Sequence, residues 1–477
     1  MNTSEFRQYA HQFVDWMADF LENVEKYPVK AQVQPREIYN QIPDSPPQEG
    51  EEMSVIFADF QEKILPGITH WQHPGFMAYF NGNASMPSIL AEMLTATLGA
   101  QCMIWDTSPA AAELEEKMMN WLKQLMGIPL EWSGVIQDTA STGTLVALLT
   151  AREKYSRFQI NKKGFSKQKF TVYASSQVHS SIDKAVKIAG IGVENLRKIP
   201  VDNRFAMIPE ELAKQIYQDI QKGFQPLCVV ATIGSTSSTA IDPLRKIGEI
   251  CQEYSVFLHA DGAHAGSATI LPEMRHLIDG LELADTYLFN PHKWMMVNFD
   301  CTAYFAKDKE ALIRTFEILP EYLKTKNDSQ VNNYRDWGIQ LGRRFRALKL
   351  WFVLRSFGAE GIQEKLRFHL ALAQNFTQRI LQHPDFELTA PTSVNLVCFR
   401  YKPAFIQNTE ELNEINAKIL NRINEGGKLY LTHTKLNDIY TIRAVFGQTN
   451  ITERQLEMLW EVLLQAIREG FGSSLRG

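Results

Sequence analysis

Between residues 170 and 305 the chain alternates short, unbroken apolar stretches with amphipathic ones. Leu227–Ile233 reads Leu-Cys-Val-Val-Ala-Thr-Ile. Phe170–Ala174, Val256–Ala260, Thr286–Phe289 and Thr302–Phe305 are further short strand signals, with helical patterns over Ser181–Ala189 and Pro243–Tyr254. A strand without polar alternation must be buried on both faces, and the intervening helices supply the cover. A mostly parallel sheet within an α/β layer is therefore expected.

Around this centre the pattern predicts other elements. Phe6, Tyr9, Phe13, Trp16, Met17, Phe20 and Leu21 recur at helical spacing over Ser4–Val24, behind a Ser4 N-cap. So wide an aromatic stripe needs a surface to cover it, either the chain's own core or a second subunit. Pro35, Pro43, Pro46 and Pro47 mark an extended connector. Helices are expected over Ser54–Leu65, Pro87–Leu98, Ala110–Met126 and Gly342–Phe357. Beyond these, strands at Leu396–Phe399, Leu429–Thr432 and Tyr440–Ala444 alternate with helices at Glu410–Asn424 and Glu453–Arg468, a smaller α/β unit. At 477 residues the chain exceeds what one core supports. The expected division is an N-terminal helical segment (1–85), a large domain (86–357) and a small C-terminal domain (358–477). The polar stretch Asn327–Tyr334 is a loop of the kind used as a lid.

Charge narrows the partners. Asp and Glu outnumber Lys and Arg, 54 to 49, which argues against a nucleic-acid partner. The one dense basic cluster, Arg343-Arg344-Phe345-Arg346, reads as an ordinary helix face or an ion-pairing group. No apolar run approaches the ~20 residues that span a bilayer. The five cysteines are scattered without Cys-x-x-Cys, so neither a disulfide framework nor a zinc site is indicated, and no other metal spacing is present. With Glu5, Asp15 and Asp19 near the start, no secretory signal is expected and a cytoplasmic location is.

The chemistry centres on Lys293, in Asn290-Pro291-His292-Lys293-Trp294, and on Asp261, in His259-Ala260-Asp261-Gly262-Ala263-His264. A lysine and an acid, each beside a strand signal, suit a pyridoxal phosphate aldimine. The amine forms the Schiff base and the carboxylate keeps the pyridinium nitrogen protonated. Thr139-Ala140-Ser141-Thr142-Gly143, ahead of an apolar helix at Thr144–Tyr155, is the candidate phosphate cradle, since a helix N-terminus offers free N–H groups. Asn290 and His292 flank the lysine and are placed to add polar contacts. His179 and Thr236 each follow a strand, where ligands of open α/β sheets gather. His179 is placed to stack over the pyridine ring and orient a substrate carboxylate.

A competing reading starts from the same serine. Thr139–Gly143 is one residue short of a Gly-x-Ser-x-Gly elbow, and Ser141, Asp261 and His264 or His292 follow in hydrolase order. It leaves Lys293 without a role. A cofactor-binding protein without turnover is disfavoured by the retention of Lys293, His179 and Tyr322. Gly190-Ile191-Gly192 follows a helix and lacks a third glycine, so a dinucleotide site is not supported.

Ordered motifs over essentially the whole length resemble the group II pyridoxal phosphate-dependent decarboxylases of fold type I, especially the aromatic L-amino acid decarboxylases. They are Pro66-Gly67-Ile68-Thr69-His70-Trp71, Ser108-Pro109-Ala110, Asn290–Trp294, Asn298-Phe299-Asp300-Cys301, Leu341–Arg346 and Tyr430-Leu431-Thr432-His433-Thr434. The resemblance implies a large domain with a mostly parallel seven-stranded sheet, a small C-terminal α/β domain, and an N-terminal segment swapped across a homodimer whose active sites lie at the interface. It implies Lys293 as the aldimine lysine, Asp261 as the pyridinium partner and Ala263 against the ring. His179 becomes the stacking histidine, and Ala140, Ser141 and Asn290 the phosphate ligands. Tyr322 falls at the mobile-loop tyrosine that protonates the carbanionic intermediate. Keeping both Tyr322 and His179 looks like a decarboxylase rather than a related aldehyde synthase. Trp71, Tyr79 and Phe80, with Phe299 from the partner subunit, match the substrate pocket. Asn81 and Gly82 stand in place of a Pro-Thr pair, Gln101 and Met103 in place of an aliphatic and an aromatic residue, and His264 in place of a tyrosine. A buried Gln101 needs a partner, so it is expected to meet a polar substrate group.

Overall fold

The computed structural model describes residues 1–318 and 330–471. They form two compact units, Met1–Asn81 with Arg400–Gly477, and Gly82–Phe399.

The second unit is built on a seven-stranded sheet. Its strands are β1 (Ser133–Gln137), β2 (Phe170–Ser175), β3 (Leu196–Ile199), β4 (Gln225–Thr232), β5 (Phe257–Asp261), β6 (Thr286–Phe289) and β7 (Thr302–Ala306), in the order β1-β7-β6-β5-β4-β2-β3. Pairing is parallel from β3 through β2, β4 and β5 to β6, while β7 runs antiparallel to both β6 and β1. Alternate residues feed cores on opposite faces. Val229, Ala231, Leu258 and Ala260 join one cluster, and Cys228, Val230, Val172 and Ala174 another. This two-sided burial is why those strands read as unbroken apolar runs. β1 and β3, which the sequence pattern did not single out, are the two edges. They are only partly buried, so their apolar signal is weak.

The helix after the cradle residues was expected to begin at Thr144, but it spans Ala140–Tyr155 with Thr139 as its N-cap. The cradle is thus the cap and first turn, not a loop ahead of them. Gly143 lets this helix press on the sheet, since a Cβ there would lie 2.7 Å from Leu288 Cδ2. The helix expected to end at Phe357 spans Arg346–Gln382, broken at Gly358, whose φ of 65° suits glycine. Arg343 pairs with Glu115 at 2.6 Å, Arg346 with Asp300 at 2.9 Å and Arg344 with Glu92, so the basic cluster is an ion-pairing group that lies mostly ahead of the helix. β8 (Phe386–Leu388) follows, and β9 (Leu396–Tyr401) runs across the boundary between the units.

In the first unit the N-terminal helix spans Thr3–Asn23. Its cap is Asn2 rather than Ser4, in a capping box closed by Glu5. None of its residues is buried in this chain. The strand expected over Leu429–Thr432 is displaced: β10 is Thr432–Leu436, paired antiparallel with β11 (Ile439–Val445) through a turn in which Asn437 and Asp438 have positive φ. Turn chemistry, not the preceding apolar residues, sets that register. The lid candidate Asn327–Tyr334 lies outside the described residues at 327–329, and Tyr334 begins a short buried 3-10 turn. Among the described residues no helix is long and apolar enough to cross a membrane, and no cluster of metal-ligating side chains is found. All five cysteines are buried free thiols.

Candidate active site

The carboxyl ends of β1, β2, β4, β5 and β6 deliver the candidate residues to one edge of the sheet. The amino end of antiparallel β7 joins them there, with Thr302 opposite Gln137. Asp261 is the last residue of β5, buried, and its Oδ1 accepts the Ala263 N–H at 3.0 Å. That bond leaves Oδ2 available to a cationic donor. The Ala263 carbonyl accepts the Asn290 N–H at 3.0 Å, just beyond β6. Asn290 Oδ1 in turn lies 2.8 Å from Thr302 Oγ1, which is 3.1 Å from the Asp138 carbonyl, and Asp138 Oδ1 accepts the Thr139 N–H. The one Thr302 proton can serve either acceptor at a time, so a chain of polar contacts, rather than of simultaneous hydrogen bonds, links the Asp261 carboxylate to the cap of the cradle helix.

At that cap Thr139 Oγ1 accepts the Thr142 N–H. Among the described residues no protein group takes up the Ala140 or Ser141 N–H, and Ser141 is exposed. Free amides at the positive end of a helix dipole suit an anion.

Lys293 stands in the short Pro291–Trp294 helix after β6. Burial lowers its pKa, and the Asp261 carboxylate opposes that shift, so the two groups share one electrostatic field. His292 is buried and pushed down to about 3, by burial first and the Lys293 ammonium second. Its Nδ1 accepts the Cys301 N–H at 2.9 Å, so it is neutral and fixed. With Nδ1 accepting, the neutral ring carries its proton on Nε2. His179 Nδ1 accepts the Ser181 N–H at 3.1 Å, which leaves the proton of the neutral ring on Nε2. Desolvation, and then Lys293, lower its pKa, while Asp261 acts the other way. Thr236 lies in the turn after β4 and is half-buried.

Sequence reasoning missed the residues that clamp the lysine segment. Asn83 Nδ2 donates to the Lys293 carbonyl at 2.6 Å, its N–H donates to the His292 carbonyl at 3.1 Å, and Ser85 Oγ donates to the Met296 carbonyl at 2.7 Å. No local pattern marks Asn83, which is 210 positions from Lys293.

The expected substrate residues fall in both units. In the first, Trp71 and Tyr79 are exposed and stacked 5.7 Å apart, whereas Phe80 is buried beneath the Arg443 guanidinium. In the second, Phe299 is exposed with its ring edge on His292 at 4.9 Å, and Met103 is half-buried. Gln101 departs from expectation. It is exposed in this chain, and its side-chain oxygen already accepts the Arg343 N–H at 2.6 Å, so the cost of a buried amide does not apply. His264 is buried, stacked on Trp294 at 5.1 Å and bonded to Asn395 at 2.8 Å, a packing role that also removes it from a hydrolase triad. Tyr322 lies outside the described residues.

The donor set fits pyridoxal phosphate. It combines an amine of lowered pKa, a carboxylate with one oxygen uncommitted, and two unclaimed amides at a helix N-terminus tied to that carboxylate. Residues 35–402 match the description "Pyridoxal-dependent decarboxylase conserved domain". Phenylacetaldehyde synthase of Arabidopsis thaliana is 40% identical, covering 97% of this chain and 96% of its own. Tryptophan decarboxylase 2 of Oryza sativa subsp. japonica is also 40% identical, covering 97% and 94%. The crystal structure of Catharanthus roseus tryptophan decarboxylase in complex with L-tryptophan superposes with a TM-score of 0.92 at 37% identity, covering 98% of this chain and 99% of that one. A lysine–acid pair at the sheet edge and likeness along nearly the whole length lead to one conclusion: this chain belongs to the pyridoxal-dependent decarboxylase family, with the fold type I architecture and pyridoxal phosphate as its cofactor.

Proposed function

We propose that this enzyme decarboxylates an aromatic L-amino acid to the corresponding amine and carbon dioxide. The observation that carries the reading is the Asp261–Lys293 pair at the sheet edge, linked by polar contacts to a helix cap with two free amides. When bound, pyridoxal phosphate supplies the sink for the electron pair that the departing carboxylate leaves behind. Lys293, Asp261, Ala140, Ser141, Asn290 and His179 are the residues that hold it, with Thr236, Ala263 and His292 around them. Asp261 Oδ2 holds a proton at the ring nitrogen. His179 offers its Nε2 proton to the substrate carboxylate, because Nδ1 is committed to Ser181. Tyr322 returns a proton to the α-carbon. In this reading the substrate residues are Trp71, Tyr79, Phe80, Gln101, Met103 and Phe299, whose aromatic and apolar members suit a phenyl, catechol or indole group.

The assembly in this reading is a cytoplasmic homodimer in which residues 1–85 exchange between subunits, beside a large domain (86–357) and a small one (358–477). Two exposed surfaces support it. The Thr3–Asn23 helix has no fully buried residue, although Phe13, Trp16 and Phe20 touch Phe57, Phe60 and His70 of the same chain, and the Met86–Leu98 helix exposes Met86, Leu90, Leu94 and Leu98 on one face. The aromatic relatives support the substrate class.

The test incubates purified protein and pyridoxal phosphate with a panel of L-amino acids and identifies products by mass. Amine from tryptophan, tyrosine or DOPA, with none from glutamate or histidine, is the expected result; the reverse pattern overturns the substrate class. The likeness to a phenylacetaldehyde synthase favours one second reading, an aldehyde-forming reaction that consumes dioxygen. Aldehyde with ammonia in place of amine would establish it.

A further inference from the structure

His259 is fully buried on β5, two residues before Asp261 and on the same face of the strand. Its Nε2 lies 3.3 Å from Thr144 Oγ1, and its Nδ1 lies 2.9 Å from Thr286 Oγ1. Thr144 belongs to the first turns of the cradle helix, next to Gly143, where that helix presses on the sheet. Thr286 opens β6, the strand that leads to Asn290 and Lys293. One imidazole thus joins the three elements that carry the proposed phosphate cradle, the acid and the lysine. Burial lowers its pKa to about 4, so the ring is neutral at physiological pH. Each threonine hydroxyl can give or accept a proton, which satisfies both ring nitrogens in either tautomer.

We propose that His259 is a positioning residue that fixes the cradle helix against the strand bearing Asp261, and so sets the affinity for the cofactor's phosphate. The inference rests on the reading of Ala140 and Ser141 as phosphate ligands. It makes a claim that a general packing role does not: the Thr144 arm matters for phosphate and the Thr286 arm does not.

Glutamine and asparagine separate the arms. A glutamine amide reaches the position of Nε2 and keeps a partner for Thr144. An asparagine amide reaches only the position of Nδ1 and keeps a partner for Thr286. The full-length chain, freed of cofactor, is titrated with pyridoxal phosphate, with pyridoxal and with inorganic phosphate, for wild type, His259→Gln and His259→Asn. For His259→Asn the dissociation constants of pyridoxal phosphate and of phosphate should rise roughly tenfold, as expected for a buried hydroxyl stranded without a partner, while that of pyridoxal stays unchanged. His259→Gln should stay within about twofold of wild type for all three. The proposal is overturned if the two variants bind pyridoxal phosphate equally, or if pyridoxal and pyridoxal phosphate weaken together. Failure of the underlying cradle reading looks different: wild type itself would then bind pyridoxal as tightly as pyridoxal phosphate. Should either variant fold poorly, Thr144→Val, which removes the same bond from the opposite side, must reproduce the phosphate-specific loss.

Discussion

Replacing Gly143 with alanine opposes two effects within the cradle helix. Alanine is favoured over glycine in a helix interior by about 1 kcal/mol, because glycine gives up more backbone freedom on folding. Against that gain, the added Cβ would lie 2.7 Å from Leu288 Cδ2 and 3.3 Å from Tyr304 Cδ2. Carbon atoms rest at about 3.5–4.0 Å, so something must move by roughly 1 Å. Leu288 and Tyr304 are both fully buried, which leaves neither side chain room to swing away. Overfilling such a core costs about 1–3 kcal/mol, and the net change is a loss of about 1 kcal/mol. The helix backs off the sheet, carrying the Ala140 and Ser141 amides with it, so affinity for pyridoxal phosphate falls while that for pyridoxal holds. Urea unfolding of the cofactor-free protein measures the first effect and cofactor titration the second. A Gly143→Ala variant that is more stable than wild type, with unchanged cofactor affinity, would refute the reasoning.

Other perturbations address the remaining groups. Asp261→Ala should lower kcat far more than it raises KM, because the carboxylate acts when charge develops rather than when substrate binds; equal losses in both would argue against that role. Tyr322→Phe should divert product from amine toward aldehyde and ammonia with uptake of dioxygen, and amine alone would show the tyrosine's assigned role to be wrong. The depressed pKa of His259 has a signed consequence for stability. Its folded-state value of about 4 lies below the ordinary 6.5, so between those limits the unfolded chain binds a proton that the folded chain refuses. Wild type therefore loses stability as pH falls from 6.5 toward 4, by about 1.4 kcal/mol per pH unit from this group. His259→Gln lacks the titration, so its stability deficit should narrow over that window and stay constant above it. Unfolding midpoints at pH 7.5, 6.5 and 5.0 check this, and a gap that widens on acidification contradicts it.

Much of the architecture and the centre of the site could be read without coordinates. β2 and β4 to β7 announce themselves because burial on both faces demands apolar residues at successive positions, a purely local signature. Lys293 and Asp261 stand in short distinctive motifs beside two of those strands, and their chemistry follows from residue type. Edge strands β1 and β3 escaped because half-burial leaves a mixed pattern. The capping residue Asn2 and the β10–β11 register turned on hydrogen bonds whose competing alternatives look alike in sequence.

What the amino-acid order determined by itself was therefore periodicity and chemistry: which segments are buried on both faces, and which side chains can hold an aldehyde, a phosphate and a proton. The tertiary structure alone decided which of these meet. Asn83 clamps the segment of Lys293 from 210 positions away, and His259 joins Thr144 to Thr286 across 115 and 27 positions. Such pairings have no local signature, because they exist only once the cradle helix has packed on the sheet and brought these polar side chains within reach of one another.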